Sequence, residues 1–288
     1  MPGETERAIR LQPDWLSRVP TDRRLPSGAR VVHTGCGTSF HAAQTGGVAV
    51  QALEAVLSTP DAEVLVAVSH EGTTEVVLEA VRTFPGETWL VTGWPSSPLA
   101  EAVDEVVVVT PEIERSWCHT ASYTCAVAGL DALHGRDISW LPPAVEEALQ
   151  GRVETGLPDR VLVTGAGRDW ATAQEAVLKL REGAGVAAEA FETEQLLHGY
   201  LAAVEPGTRA FVLEGQGRAA ERAHELVEVL EKLDVEVILR PTVHPVVDIV
   251  FFQLLTVAEA AARGLDPDPI GREPGSPLAR ATGAAYRL

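Results

Sequence analysis

A cluster of hydroxyl chemistry stands at Ser69-His70-Glu71-Gly72-Thr73-Thr74, between an apolar run and a helical pattern. Such a turn offers free backbone N–H groups and the positive end of a helix, a natural seat for an anion. Ser69, Thr73 and Thr74 add donors, and Gly72 lets the backbone come close. Thr38 and Ser39, in Gly35-Cys36-Gly37-Thr38-Ser39, would reach the same point from a neighbouring strand end. The plainer alternative is that these Ser and Thr residues only cap two helices. Farther on, Glu175, Lys179 and Glu182 stand at i, i+4 and i+7, on one helix face, as in a salt-bridged surface stripe.

The elements that would hold these groups come twice. Val31-Val32-His33-Thr34-Gly35-Cys36-Gly37 has a partial copy in Val161-Leu162-Val163-Thr164-Gly165-Ala166-Gly167, and Val64–Val68 has a counterpart in Arg209–Leu213. Each is a short strand running into a helix, the order of an open α/β sheet whose ligand lies beyond the carboxyl ends of its strands. The second copy of the hydroxyl-rich turn, Glu214-Gly215-Gln216-Gly217-Arg218, has no hydroxyl cluster. Capping would be needed in both copies, so the difference favours a ligand seat kept in the first half alone.

The pattern predicts a helix over Glu6–Ser17, strands over 31–35, 64–68, 89–92 and 106–109, and helices over 38–56 and 73–82. A linking helix follows over 144–152. The second half repeats the order, with strands over 161–164, 209–213 and 235–239 and helices over 170–183, 192–199, 217–233 and 246–263. Alternation of this kind predicts an α/β fold with mainly parallel sheets covered on both faces. The expected divisions are an N-terminal helical segment (1–27), a first domain (28–150), a second domain (151–265), each with its own core, and a tail (266–288).

The 288 residues carry a net charge of −18, which argues against nucleic acid or an anionic membrane as partner. No apolar run reads as long enough to cross a bilayer, and the acidic N-terminus is no signal peptide. Cys36, Cys118 and Cys125 are odd in number and lack metal spacing, which points to a reducing cytoplasm. Neither a metal nor a cofactor is expected. Gly35-Cys36-Gly37 lacks the third glycine of a dinucleotide fingerprint.

The chain resembles the SIS (sugar isomerase) family, and within it the isomerase half of the glucosamine-6-phosphate synthases. Leu11-Gln12-Pro13, Gly35-Cys36-Gly37-Thr38-Ser39, Ser69–Thr74, Glu175–Glu182 and Leu197-His198-Gly199 carry the likeness. The resemblance implies two tandem SIS domains, each a three-layer α/β/α sandwich with a flavodoxin-like sheet. It also implies a homodimer acting on a sugar phosphate, whose open chain is isomerised by proton transfer between C1 and C2. It assigns Glu182 as the base and His198 to ring opening, with Lys179 steadying the open-chain sugar. Cys36, Gly37, Thr38, Ser39, Ser69, His70, Glu71, Gly72, Thr74, His119 and Arg280 would line the substrate, Cys36 as a small packed residue. The alternatives are a non-catalytic sugar-phosphate sensor and an enzyme on a sugar without phosphate.

Three departures bear on the chemistry. Glu71 stands where the family places a phosphate-binding serine, so either it faces outward or the ligand is not a simple sugar 6-phosphate. Leu278-Ala279-Arg280 replaces the Leu-x-Lys whose lysine captures the ketose, and arginine cannot be that nucleophile. Ala121 follows Glu114, Ser116, His119 and Thr120 where the family usually has lysine. Lys179 and Lys232 are the remaining lysines, so glucosamine-6-phosphate synthesis is not the expected activity.

Overall fold

The two copies of the strand–glycine unit adopt one backbone in the computed structural model, which describes residues 3–270 and 275–282. After α1 (Glu4–Leu16), the first half runs β1 (Val31–Thr34), α2 (Thr38–Gly46), α3 (Ala52–Leu57), β2 (Val64–Val68), α4 (Glu75–Thr83), β3 (Glu87–Thr92), β4 (Glu105–Val108) and α5 (Ala121–Leu133). Helix α6 (Leu141–Ala148) leads into β5 (Val161–Gly165), α7 (Arg168–Ala184), β6 (Ala188–Glu192) and α8 (Thr193–Leu197). Then come β7 (Arg209–Leu213), α9 (Arg218–Glu231), β8 (Glu236–Arg240), α10 (Pro245–Arg263) and α11 (Pro277–Thr282). Gly37 (φ 54°, ψ −131°) and Gly167 (φ 60°, ψ −127°) precede α2 and α7 in the same conformation, one that side-chain-bearing residues rarely adopt.

Among the described residues every strand pairing is parallel, in two four-stranded sheets ordered β1-β2-β3-β4 and β6-β5-β7-β8. Residues 48–50 complete the likeness. The His33 N–H donates to Val48 O and the Val50 N–H to His33 O, each at 2.9 Å, so a strand fragment runs parallel beside β1 as β6 does beside β5. Both sheets therefore reverse direction next to their first strand, the switch point at which such folds bind ligands.

This fragment corrects the expected continuous helix over 38–56. The chain breaks at Gly46–Gly47 because a Cβ on Gly46 would lie 2.6 Å from His33 Nε2, and Gly47 has φ +144°. Strand β6 and helices α5 and α11 went unanticipated. β6 carries two glutamates among its five residues, which break its apolar run. All 13 residues of α5 are buried, so the helix shows no polar face to mark its period.

Each sheet has an outer core of its own, with Val77, Val81 and Phe84 on the first and Leu226 and Leu230 on the second. The inner faces share one continuous core, in which Tyr123, Leu130, Leu180, Phe252 and Leu255 meet. This corrects the expectation of two separate cores. Buried Asp131 on α5 ties the halves together, accepting both oxygens' bonds from Arg168 (2.8 and 2.9 Å) and a third from His244 (2.7 Å). Among the described residues, α10 is long and apolar enough to cross a membrane, which the sequence reading missed. Most of it is buried, and Ile249, Val250, Phe252 and Leu255 lie in the shared core, as in the core helix of a folded domain.

Candidate functional site

The turns after β1 and β2 flank the switch point of the first sheet. Thr38 opens α2, but Gly37 is the N-cap and Thr38 does not cap the helix. Its hydroxyl donates to Glu175 Oε1 (3.2 Å) and accepts from Lys179 Nζ (3.2 Å), both on α7 of the other half. Thr74 is the N-cap of α4, yet its side chain makes no capping bond. Capping therefore does not account for these hydroxyls. In the second half, the equivalent crevice holds an internal carboxylate. Thr242 accepts from the Gly215 N–H (3.1 Å) and donates to Asp169 Oδ2 (2.9 Å).

Glu175 and Lys179 are fully buried, which overturns the surface-stripe reading. Lys179 Nζ lies 3.5 Å from Glu175 Oε1 and donates to Glu182 Oε2 at 2.8 Å, and the Glu182 side chain keeps 24% of its exposure. Burial alone would lower the lysine's pKa, but the two carboxylates overturn that and hold it above the usual lysine range. Lys179 is thus a fixed ammonium and cannot serve as an amine nucleophile. His41, which the sequence reading passed over, donates from Nδ1 to Glu175 Oε2 at 2.8 Å. Its signal was its place three residues after Thr38, on the same helix face.

The loop between β4 and α5 forms another wall. Glu114 is buried and accepts from the N–H groups of Thr120 (2.8 Å), Ala121 (3.3 Å) and Ser122 (2.8 Å) and from the Thr120 hydroxyl (2.8 Å). Burial pushes its pKa up, but these donors and the neighbouring His119 outweigh burial and hold it at about 2. His119 Nδ1 is 3.9 Å from Glu114 Oε2, beyond hydrogen-bonding range, so its influence is Coulombic. His70 accepts the Glu114 N–H at Nε2 (2.9 Å) and stands edge-on to His119. Burial, then the charge of His119, lowers its pKa to about 4, with Glu114 opposing. His70 is therefore a neutral brace between two loops and not a charged ligand for phosphate. A cavity of about 10 Å³, room for one water, lies among Thr38, Ser39, His70, Ser122 and Tyr123.

The remaining expected residues are placed as follows. Ser69 and Gly72 are buried; Gly72 (φ +65°) packs so closely on Ser97 that a Cβ would fall 2.0 Å from its Oγ. Glu71 is exposed. Cys36 is also exposed, correcting the packed thiol, and Gly37 beside it is open. His198, 70% exposed, pairs with Glu194 at 2.8 Å, and among the described residues no hydrogen bond or ion pair joins it to Lys179 or Glu182. Arg280 is exposed and donates to Gly275 O within its own turn. Cys118, buried against the helix at Gly183, is pushed up to about 12 by burial, with Lys179 opposing, and stays a thiol. The structure thus joins Thr38 and the α7 triad in one network and places Ser69, Gly72 and Thr74 on the adjacent turn, while His198 and Arg280 stand outside the network.

A SIS domain model matches residues 158–239. The glutamine–fructose-6-phosphate aminotransferase (isomerizing) of Aeropyrum pernix is 30% identical over 312 aligned positions, covering 85% of this chain and 50% of that protein. The Bacillus subtilis protein of the same name is 26% identical, covering 83% and 50%. The chain spans about half the length of the curated relatives it matches. The fold is that of glucosamine-6-phosphate deaminase from Thermotoga maritima (TM-score 0.75, 20% identity, 95% of this chain and 98% of that one). It is equally that of tagatose-6-phosphate ketose/aldose isomerase from Escherichia coli (TM-score 0.76, 18% identity, 93% and 95%).

Proposed function

For a chain that belongs to the SIS domain family, we propose an enzyme of the sugar-phosphate isomerase type, built from two tandem SIS domains with its site at the first sheet's switch point. The observation that carries this reading is the contact of Lys179 with both Thr38 and Glu182. It sets a partly exposed carboxylate beside a turn rich in hydroxyl and backbone N–H donors. The phosphate of an open-chain sugar lies against the Ser69–Thr74 turn, with Thr38 and Ser39 at its side. Glu182 removes the proton from the carbon beside the carbonyl, leaving an enediolate; the hydroxyl proton passes from one oxygen to the other, and Glu182 returns its proton to the former carbonyl carbon, so that the carbonyl shifts by one position. Lys179 has no exposure, so it acts by holding Glu182 and Thr38 in place, a positioning role in place of direct contact with the sugar.

His198 fits this reading when two chains associate. It is exposed on its own chain, and in a homodimer it reaches the neighbour's site to open the sugar ring. A soluble cytoplasmic dimer is the setting this proposal expects. Glu71, being exposed, is able to turn away from a bound phosphate.

The test is a thermal-shift titration with fructose 6-phosphate, glucosamine 6-phosphate and the matching free sugars. Stabilisation by the phosphates alone supports the seat. Stabilisation by free sugars, or by none of them, overturns it.

A further inference from the structure

The tail after α10 reads as a linker in the sequence, Asp266-Pro267-Asp268-Pro269, but Asp268 bonds to the start of α1 and to Trp117. Its Oδ2 accepts from the Glu4 N–H, and its Oδ1 accepts from the Thr5 N–H and the Thr5 hydroxyl, all at 2.7 Å. These bonds satisfy the first amides of α1, whose own N-cap, Gly3, has no side chain to do so. Gly3 also leaves the space: a Cβ there would sit 2.9 Å from Asp268 Oδ2. The carboxylate is placed where the helix dipole favours negative charge.

The same residue reaches the site wall by two routes. Its carbonyl accepts from the Trp117 N–H at 3.1 Å. The Thr5 hydroxyl, donating to Asp268, stands 2.5 Å from the Ser116 hydroxyl, which accepts from the Cys118 N–H at 3.1 Å. Thr5, Ser116 and Cys118 are all buried, so these bonds are shielded from competing water. The strap also touches α7. A Cβ on Gly183, next to Glu182, would lie 3.3 Å from Cys118 Sγ and 3.4 Å from Pro267 Cβ. Pro267 and Pro269 fix φ on either side of Asp268 and limit its freedom to leave.

We infer that Asp268 is a positioning residue: one carboxylate clamps the start of α1 and, through Thr5 and Ser116, holds the 114–120 loop against the Glu182 helix. The residues just after α10 are then part of the site's construction. The clamp itself stands on the contacts above; its effect on ligand binding rests on the proposed sugar-phosphate site.

The experiment compares amide hydrogen exchange in the full chain and in its Asp268→Ala and Asp268→Asn variants, with fructose 6-phosphate thermal shift as a second readout. In Asp268→Ala, exchange in residues 4–8 and 114–120 rises about tenfold while α9 is unchanged, and the stabilisation by fructose 6-phosphate falls. Asp268→Asn, which keeps one accepting oxygen, recovers part of both. Unchanged exchange in 114–120, or an equal rise throughout the chain, overturns the clamp. A local rise with an undiminished ligand response overturns the positioning role and leaves Asp268 a helix cap. If the unmodified protein responds to no sugar phosphate, the proposed function fails, while exchange still decides the clamp.

Discussion

Lys179→Met removes an ammonium from between Glu175, 3.5 Å away, and Glu182, 2.8 Å away. At an effective dielectric of about 20, a pair 3.5 Å apart attracts by about 5 kcal/mol. Desolvation offsets most of that, so the intact array contributes little net stability. Taking one member away is different. Glu175 has no exposure and is left with Thr38 and His41 as partners for a buried negative charge. Breaking a buried pair in this way costs about 3–5 kcal/mol, a melting temperature lower by about 5–8 °C for a chain of this size. Urea denaturation followed by circular dichroism measures it. Lys179→Met/Glu175→Gln removes the stranded charge as well and recovers at least about 2 kcal/mol of the loss. A single variant within about 0.5 kcal/mol of the unmodified protein, or a double variant no more stable than the single one, refutes the reasoning.

Acid should weaken the fold in two stages. His33 and His70 are held at about 4 by burial, below the ordinary 6.5, so the unfolded chain takes up their protons first and stability falls between those values. Glu114 and Asp131 sit at about 2, where bonds to the carboxylates outweigh burial, and their contribution is lost from the ordinary carboxylate range down to that value. Melting curves from pH 7 to pH 3 show this, and a melting temperature flat from pH 7 to 4.5 speaks against it. Gly72→Ala should cost about 2–3 kcal/mol, since it strains a left-handed residue and drives a methyl into Ser97; denaturation measures the loss, and a cost below about 0.5 kcal/mol counts against the packing described. Glu71→Ser should leave the melting temperature unchanged, because Glu71 is exposed, and tighten fructose 6-phosphate binding by less than about tenfold through lost repulsion. Calorimetry decides this, with weaker binding as the contrary result.

The repeat of β1 and β5, with their glycines, was legible because strand, turn and helix each leave a local mark. The Thr38 and Ser69–Thr74 turns were legible for the same reason. Helix α5 and strand β6 were not. Full burial erases amphipathic period in the one, and Glu189 and Glu192 break the apolar run of the other. Glu175, Lys179 and Glu182 could be put on one face by counting, but not inside the protein, because burial depends on α2 arriving from the other half to supply Thr38 and His41. His70 and Cys36 were both expected to line the substrate, yet the first is a half-buried brace between two loops and the second, expected to be packed, is exposed. A turn's sequence does not say which of its side chains the neighbouring loop will cover. Asp268 was illegible altogether, since the helix start that its carboxylate caps lies more than 260 residues away.

The central claim is that Glu182 moves a proton on an open-chain sugar phosphate seated at the first sheet's switch point. Proton NMR in D₂O, following the C1 hydrogens of fructose 6-phosphate and the C2 hydrogen of glucose 6-phosphate, tests it directly. The account predicts enzyme-dependent exchange of solvent deuterium into these positions with the unmodified protein, and loss of exchange in Glu182→Gln while binding of the sugar phosphate persists. Binding without exchange in the unmodified protein, or exchange undiminished in Glu182→Gln, would contradict it.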